Sequence, residues 1–331
     1  MSRTTPPRPL DVEAFFPELA EHRGTATRLH PRPGGPTAAD SSVGGPLRWP
    51  ADEPWPVCGE FHGVGEGRRP ADVRRLRRLL SALGDRPRTE RELVLIAELG
   101  RLHRMPDPLA PVPLIALAQL YRRDVPDLPP GPDGCDLLQV FWCPFETHGP
   151  GRYERELVLR WRRSAEVGRV LAAAPEPPVV GSEHLLPEPC VLHPQRVVVH
   201  QFAGLLPEGL CARLDAWDEA NEAAARAAGT RPVDYQEDLS IPPGWRVGGF
   251  ASWHATDPYP VDCPVCGTAM RLLLVIDSSE AGGGSWAPVE DRGGPVEWSS
   301  CPTWVQIGDL CELNVFDCPA DPAHPPRWCI Q

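Results

Sequence analysis

Cys263-Pro264-Val265-Cys266-Gly267 constrains this chain more than any other stretch. Two thiols two residues apart, closed by a glycine that can take positive φ, form a turn that presents both sulfurs to one tetrahedral ion. Such a turn is half of a structural zinc site. A counterpart stands far upstream, in Trp55-Pro56-Val57-Cys58-Gly59-Glu60-Phe61-His62, where Cys58 and His62 take the places of Cys263 and Cys266.

The likeness extends in both directions. Val43-Gly44-Gly45 precedes Cys58 at nearly the spacing by which Val247-Gly248-Gly249 precedes Cys263. Downstream, Leu138-Gln139-Val140-Phe141-Trp142-Cys143-Pro144 with His148 beyond matches Leu313-Asn314-Val315-Phe316-Asp317-Cys318-Pro319 with His324 beyond. Self-similarity of this kind predicts a duplicated unit. The chain of 331 residues has the length for two such units, each with a core of its own. The expected organisation is an extended lead-in over 1–41 and a first repeat over 42–163 with a helical insertion at about 68–104. A linker, strand and helix over 164–242 lead to a second repeat over 243–331.

A formal charge of −12 disfavours a binder of phosphate backbones, which needs a basic face to displace counterions. Every basic residue is arginine, which reads as base-composition bias and carries no functional weight. The N-terminus lacks the apolar core of a secretory signal, and no run has the apolar length to span a bilayer, so a soluble cytoplasmic protein without a membrane partner is expected. Eleven cysteines, an odd number, then read as reduced thiols, some of them metal-bound. Cys135, Cys190 and Cys211 are expected to be buried structural thiols.

Between the ligand pairs the pattern predicts a short amphipathic piece at 11–21 and a helix from Ala71 to a stop at Gly84, with a leucine stripe opposite a solvated face carrying Arg74, Arg75, Arg77 and Arg78. A second helix opens on a Thr89/Glu92 capping box and ends near Gly100. Pro113–Tyr121, Asp136–Cys143 and Glu154–Arg163 read as strands. Residues 164–194 read as a linker or long loop. Arg196–Phe202 is strand-like, and a helix starts at Pro207, buries Leu210, Leu214 and Trp217, and ends at Gly229. Met270–Ile276 and Leu310–Phe316 are the strands of the second repeat, with a Gly-rich loop over 282–294 between them.

Structural zinc sites commonly join two ligand pairs. In the second repeat Cys263 and Cys266 are completed by Cys318 and either His324 or Cys329. In the first, Cys58 and His62 are completed by Cys143 and His148. One or two zinc ions are therefore expected. The bland alternative is a set of buried thiols and satisfied histidines, which accounts for Cys301 or Cys311 better than for ligand-type residues at matching places in both copies. Redox chemistry at Cys263/Cys266 is a minor alternative, because a redox Cys-x-x-Cys opens a helix and here a strand follows. A catalytic zinc keeps an open position, and four ligands argue against one. No His-Glu-x-x-His, Gly-x-Ser-x-Gly or deaminase pattern occurs, and Gly63-Val64-Gly65-Glu66-Gly67 lacks the Lys-Ser/Thr ending of a phosphate loop.

Gly44-Gly45-Pro46 ahead of a Trp-Pro segment, the strand ending Ala118-Gln119-Leu120, Val247-Gly248-Gly249-Phe250, and a final strand resemble the YwqG-like family of bacterial proteins. The Cys-Pro-x-Cys-Gly knuckle and the duplicated layout are similar to its eukaryotic relatives, the programmed-cell-death-protein-2-like and ribosomal-protein-escort proteins. The resemblance covers about 42–331. This chain departs from simple YwqG-like members in its metal-type residues and long insertions. What the resemblance implies is an α+β protein of two similar halves, each a curved, mainly antiparallel sheet with peripheral helices. For that family no enzymatic activity is established, and the resemblance implies a chaperone-like or toxin-neutralising role.

The functional expectation is a non-enzymatic protein-binding module in which zinc fixes loops at the sheet ends and a cleft between halves receives a client segment, for instance by strand addition. One alternative is a metal-assisted hydrolase with an open zinc position. Another is single-stranded nucleic-acid binding through Trp142, Trp161 and neighbouring arginines, which the net charge disfavours.

Overall fold

The structure, a computed structural model, describes residues 3–62, 65–107, 109–146, 148, 156–280, 285–291 and 301–331. The N-terminal segment forms helix α1, Val12–Phe15, and a 3-10 turn, Pro17–His22. It then enters strand β1, Arg23–Arg28, rather than an extended lead-in. Short strands follow at β2, Arg32–Pro33, β3, Ser42–Val43, β4, Val57–Cys58, and β5, Glu66–Gly67. The insertion holds α2, Pro70–Leu83, ending on Gly84 at φ +55°, and α3, Glu90–Leu99, with both hydrogen bonds of the Thr89/Glu92 capping box formed.

The chain continues through β6, His103–Arg104, and β7, Val112–Pro113, into β8, Ile115–Tyr121, β9, Leu137–Trp142, and β10, Leu157–Arg162. Glu154 lies outside the described residues. Next come β11, Cys190–Val191, β12, Gln195–His200, and helix α4, Glu208–Ala228, which ends on a left-handed Gly229. A π-helical turn, Tyr235–Ser240, leads into β13, Arg246–Gly248, β14, Arg271–Asp277, β15, Glu312–Asp317, and β16, Arg327–Ile330. Residues 282–284 and 292–294 of the Gly-rich stretch fall outside the described residues.

The strands build two six-stranded sheets, in orders β10-β9-β8-β3-β11-β2 and β12-β1-β13-β14-β15-β16. Each therefore contains an antiparallel run of the same form, β3-β8-β9-β10 in one and β13-β14-β15-β16 in the other. Both runs shift register at the same place, between Ala116 and Ala118 in β8 and between Leu272 and Leu274 in β14. The extra residues, Leu117 and Leu273, are both fully buried. Val43 faces Ala118 as Val247 faces Leu274, which puts Gly44 and Gly248, at φ +63° and +74°, on the same corner.

The outer strands cross between sheets. Arg23 to Arg28 pairs with His200 back to Gln195, and Arg32 and Pro33 pair with Val191 and Cys190 at an unchanged offset. Residues 23–33 and 190–200 thus form one two-stranded ribbon that passes from one sheet to the other. The passage falls at Leu29-His30-Pro31 on one strand and Leu192-His193-Pro194 on the other, where each proline withholds a backbone donor. Leu29 donates to the Trp245 carbonyl at 2.8 Å and His193 donates to the Leu29 carbonyl at 2.9 Å. β1 ends beside β13, while β11 ends beside β3.

One core joins the two sheets: Leu29, Val43, Leu117, Leu138, Val140 and Trp142 pack with Trp245, Val247, Leu273, Leu313 and Val315. The expected cleft between halves is filled there by side chains. The stretch at 164–194 is not a detached linker, since Val170 bridges Pro50, Val180 bridges Arg68, and Val179, Val180, Leu185 and Leu186 are buried. Arg77 leaves the expected solvated face of α2. It is buried, donates to the Glu183 carbonyl at 2.7 Å and stacks over Trp304, while Leu76, Leu79 and Leu80 are only half-buried. Trp142 is fully buried with its indole N–H on the Leu185 carbonyl, so it cannot stack on a nucleobase. No helix among the described residues is long and apolar enough to cross a membrane.

Candidate metal centres

Cys58 closes β4, which β7 holds in register through Val57–Pro113 and Cys58–Val112. Trp55 adds an indole hydrogen bond to the Leu114 carbonyl at 2.9 Å. Cys143 follows β9 directly, its amide fixed on the Glu156 carbonyl at 2.9 Å. With His62 and His148 these residues gather four donor atoms within 4.8 Å of one another. His62 Nε2 lies 3.1 Å from Cys143 Sγ, and Cys58 Sγ lies 3.5 Å from His148 Nε2. All four side chains are buried. The hydrogen bond from Cys143 draws the Cys58 thiol well below the ordinary thiol range, and the same contact pushes Cys143 up.

The second cluster sits on a tight hairpin. Gly267, at φ +71°, donates to the Cys263 carbonyl at 2.9 Å, and Cys263 donates to the Thr268 carbonyl at 2.9 Å, the backbone pattern expected of the knuckle. Cys318 follows β15 as Cys143 follows β9. Cys263 Sγ lies 3.4 Å from His324 Nδ1, and Cys266 Sγ lies 3.5 Å from Cys318 Sγ. Again the four donors fall within 4.8 Å of one another. His324 is thus the fourth donor. Cys329 lies outside the group, on β16, with its sulfur 3.6 Å from Gln331 Nε2. Hydrogen bonds from Thr268 lower the exposed Cys266 thiol to about 6.

A tetrahedral ion with zinc–sulfur and zinc–nitrogen bonds of ordinary length requires donors about 3.3–3.8 Å apart. The closest contacts in both clusters fit it within a few tenths of an ångström. The second cluster also supplies an outer partner, since Asp321 Oδ2 is 3.7 Å from the other ring nitrogen of His324. Nδ1 of His62 finds no partner among the described residues. All eleven cysteines are free thiols. Cys190 is buried as expected, whereas Cys135 and Cys211 are only half-buried.

A network of buried charge escaped the sequence reading. Arg28 is fully buried and donates to Thr5 Oγ1 at 3.1 Å and the Trp286 carbonyl at 3.0 Å. Burial lowers it to about 10, lowers His30 to about 2 and raises Glu280 to about 7. Arg246 pairs with Glu312 at 3.2 Å, and Glu312 faces Asp277 across β14 and β15. Desolvation, with Glu312 adding to it, pushes the Asp277 carboxyl up. The available signal was an acid ending the apolar run Leu272–Ile276 and another opening Leu313–Phe316.

Fold and donor sets define an α+β protein with two Cys/His clusters able to hold a metal ion. No protein-family model matches the chain, and no curated protein matches its sequence.

Proposed function

We propose that this chain is a non-enzymatic, zinc-stapled protein-binding module descended from an internal duplication, as the YwqG-like resemblance implies. The carrying observation is that each sheet bears one complete four-donor cluster at the same two corners, between the first and second strands of its antiparallel run and after the third. Four protein donors leave a zinc ion no open position for water or substrate, so its chemistry is structural: it ties loops that the small corners could not order alone.

The exchanged ribbon fits a unit that begins near residue 23 and again near 190. In that unit Arg28-Leu29-His30-Pro31 corresponds to Val191-Leu192-His193-Pro194, and each copy lends its first strand to the other's sheet. Client binding then belongs to the outer surfaces and end cavities, because the space between sheets is core. A chaperone-like or toxin-neutralising role is the form of binding the resemblance suggests.

Metal analysis of the untagged protein tests the staple, with two zinc ions per chain expected. Cobalt substitution tests the hydrolase alternative: a thiolate spectrum unmoved by small anions is expected, and an anion-sensitive one assigns an open catalytic position. Reproducible recovery of a protein partner from the native cytoplasm is expected. Turnover of a small substrate with no partner recovered would sink the reading.

A further inference from the structure

A cavity of about 410 Å³ opens at the end of the C-terminal sheet, bounded by Ser252, His254, Asp277, Glu312 and Gln331. Its floor is unusual for a sheet. Asp277 and Glu312 are direct cross-strand partners, 8% and 7% exposed, and like charges in that position oppose each other. Arg246 and the Ser252 hydroxyl both donate to Glu312, and among the described residues Asp277 takes backbone amides alone, from Gly244 at 2.7 Å and Ser279 at 2.9 Å.

The other sheet shows what this corner looks like when filled. By register, Tyr121 and Leu137 stand where Asp277 and Glu312 stand. By sequence, Val43-Gly44-Gly45-Pro46-Leu47-Arg48-Trp49 runs parallel to Val247-Gly248-Gly249-Phe250-Ala251-Ser252-Trp253. One hydrogen bond secures the match: Gln139 Nε2 donates to the Arg48 carbonyl at 3.2 Å, and Asn314 Nδ2 donates to the Ser252 carbonyl at 3.1 Å.

Two things occupy the N-terminal corner and have no equivalent among the described residues of the other. The first is the Arg48 guanidinium, which donates to the carbonyls of Ser164 and Val167 at 2.8 and 3.3 Å. Another cation, the Arg123 guanidinium, lies 3.9 Å from the ring centroid of Tyr121, the residue that Asp277 replaces. The second is an extended segment. Leu171 donates to the Trp49 carbonyl at 2.8 Å, and Ala51 donates to the Arg169 carbonyl at 2.9 Å. At the C-terminal corner a serine replaces the arginine. The amides of Ala255 and Thr256 are taken instead by the side chain of Gln331, at 3.1 and 3.2 Å.

We infer that this cavity is the seat of an arginine presented by an extended segment of a partner protein. The segment lies along Trp253–Ala255 as residues 169–171 lie along Trp49–Ala51, its carbonyl displacing the Gln331 side chain from the Ala255 amide, and its guanidinium enters between Asp277 and Glu312. The fork of a guanidinium suits a carboxylate pair. The inference rests on the protein-binding reading and names the chemistry of the bound segment.

The test is calorimetric titration of the zinc-loaded full chain with a blocked pentapeptide, valine-alanine-arginine-alanine-valine, against the same peptide carrying citrulline. Binding of the arginine peptide is expected, with the isosteric neutral peptide weaker by about tenfold or more. Ser252→Arg, which supplies the cation from within as Arg48 does, is expected to abolish binding while zinc content and melting temperature hold. Asp277→Asn, which keeps the shape, is expected to weaken it about tenfold and thereby guards against a misfolded Ser252→Arg chain. No binding at millimolar peptide, equal binding of citrulline, or undiminished binding by both variants overturns the inference. Loss of this site leaves the wider reading standing if wild type and Ser252→Arg recover the same protein partner. Peptide binding without any recovered partner does the reverse.

Discussion

The two clusters share a layout and differ in their surroundings. Cys58, His62, Cys143 and His148 are all buried, and Phe145 stacks against His62 at 4.7 Å between ring centroids. Cys263 and Cys318 are buried, but Cys266 is exposed and His324 half-buried. The first cluster is continuous with an apolar core of Trp49, Met105, Leu114, Phe141 and Phe145. The second caps a hairpin whose neighbour is solvent. Topology is thus independent of how deeply a site sits, and depth decides how an ion is held and lost.

The largest expected effect separates them directly. Cys143→Ser leaves a weak donor in a buried site and should destabilise the fold by roughly 4 kcal/mol or more, through lost metal binding and an unpaired polar group. Cys266→Ser, at the open site, should lower the melting temperature less. Denaturant melts of the two variants side by side check this, and equal losses would erase the distinction. Next in size is the order of metal release. With a competing chelator and a colorimetric indicator, one zinc should leave fast and one slowly, and iodoacetamide should label Cys266 before any other ligand thiol. A single phase would make the two sites equivalent.

A smaller effect concerns the buried charge of the C-terminal sheet. Glu280, raised to about 7 from an ordinary value near 4.5, keeps its proton when folded at a pH where the unfolded chain has lost it. Its share of stability is therefore fully present at low pH and declines as pH rises from about 4.5 to 7. Melting temperatures of wild type and Glu280→Gln should move in the variant's favour from pH 5 to pH 8. A constant difference would mean that Glu280 ionises normally. Smallest is Thr89→Ala, which removes the capping box of α3 and should cost about 1 kcal/mol in chemical denaturation without changing zinc content.

Legibility followed the range of the interactions. Both donor sets could be read because each pair of donors lies within a few residues of chain, and at Cys263/Cys266 the positive-φ Gly267 is a local requirement as well. The helix ends could be read for the same reason, at Gly84, Thr89 and Gly229. The passage of the outer strands from one sheet to the other could not, although Leu-His-Pro occurs at both 29–31 and 192–194. Three residues are a short signal, and nothing in β1 says that its partner will be β13 rather than β3. Arg77 misled because a charged residue within an arginine run normally faces water, whereas here the Glu183 carbonyl and Trp304 enclose it. The choice between His324 and Cys329 depended on how β16 turns away after Cys318.

By itself the sequence determined the chemistry of the corners: which atoms can grip a soft ion and where helices stop. Those properties depend on bonds and torsions within a few residues. Only the tertiary structure decided which sheet each outer strand joined, which cluster faces water, and that Asp277 and Glu312 meet at the floor of a cavity. Those depend on pairings between distant segments, where many partners satisfy the same backbone hydrogen bonds and the packing of the shared core selects among them.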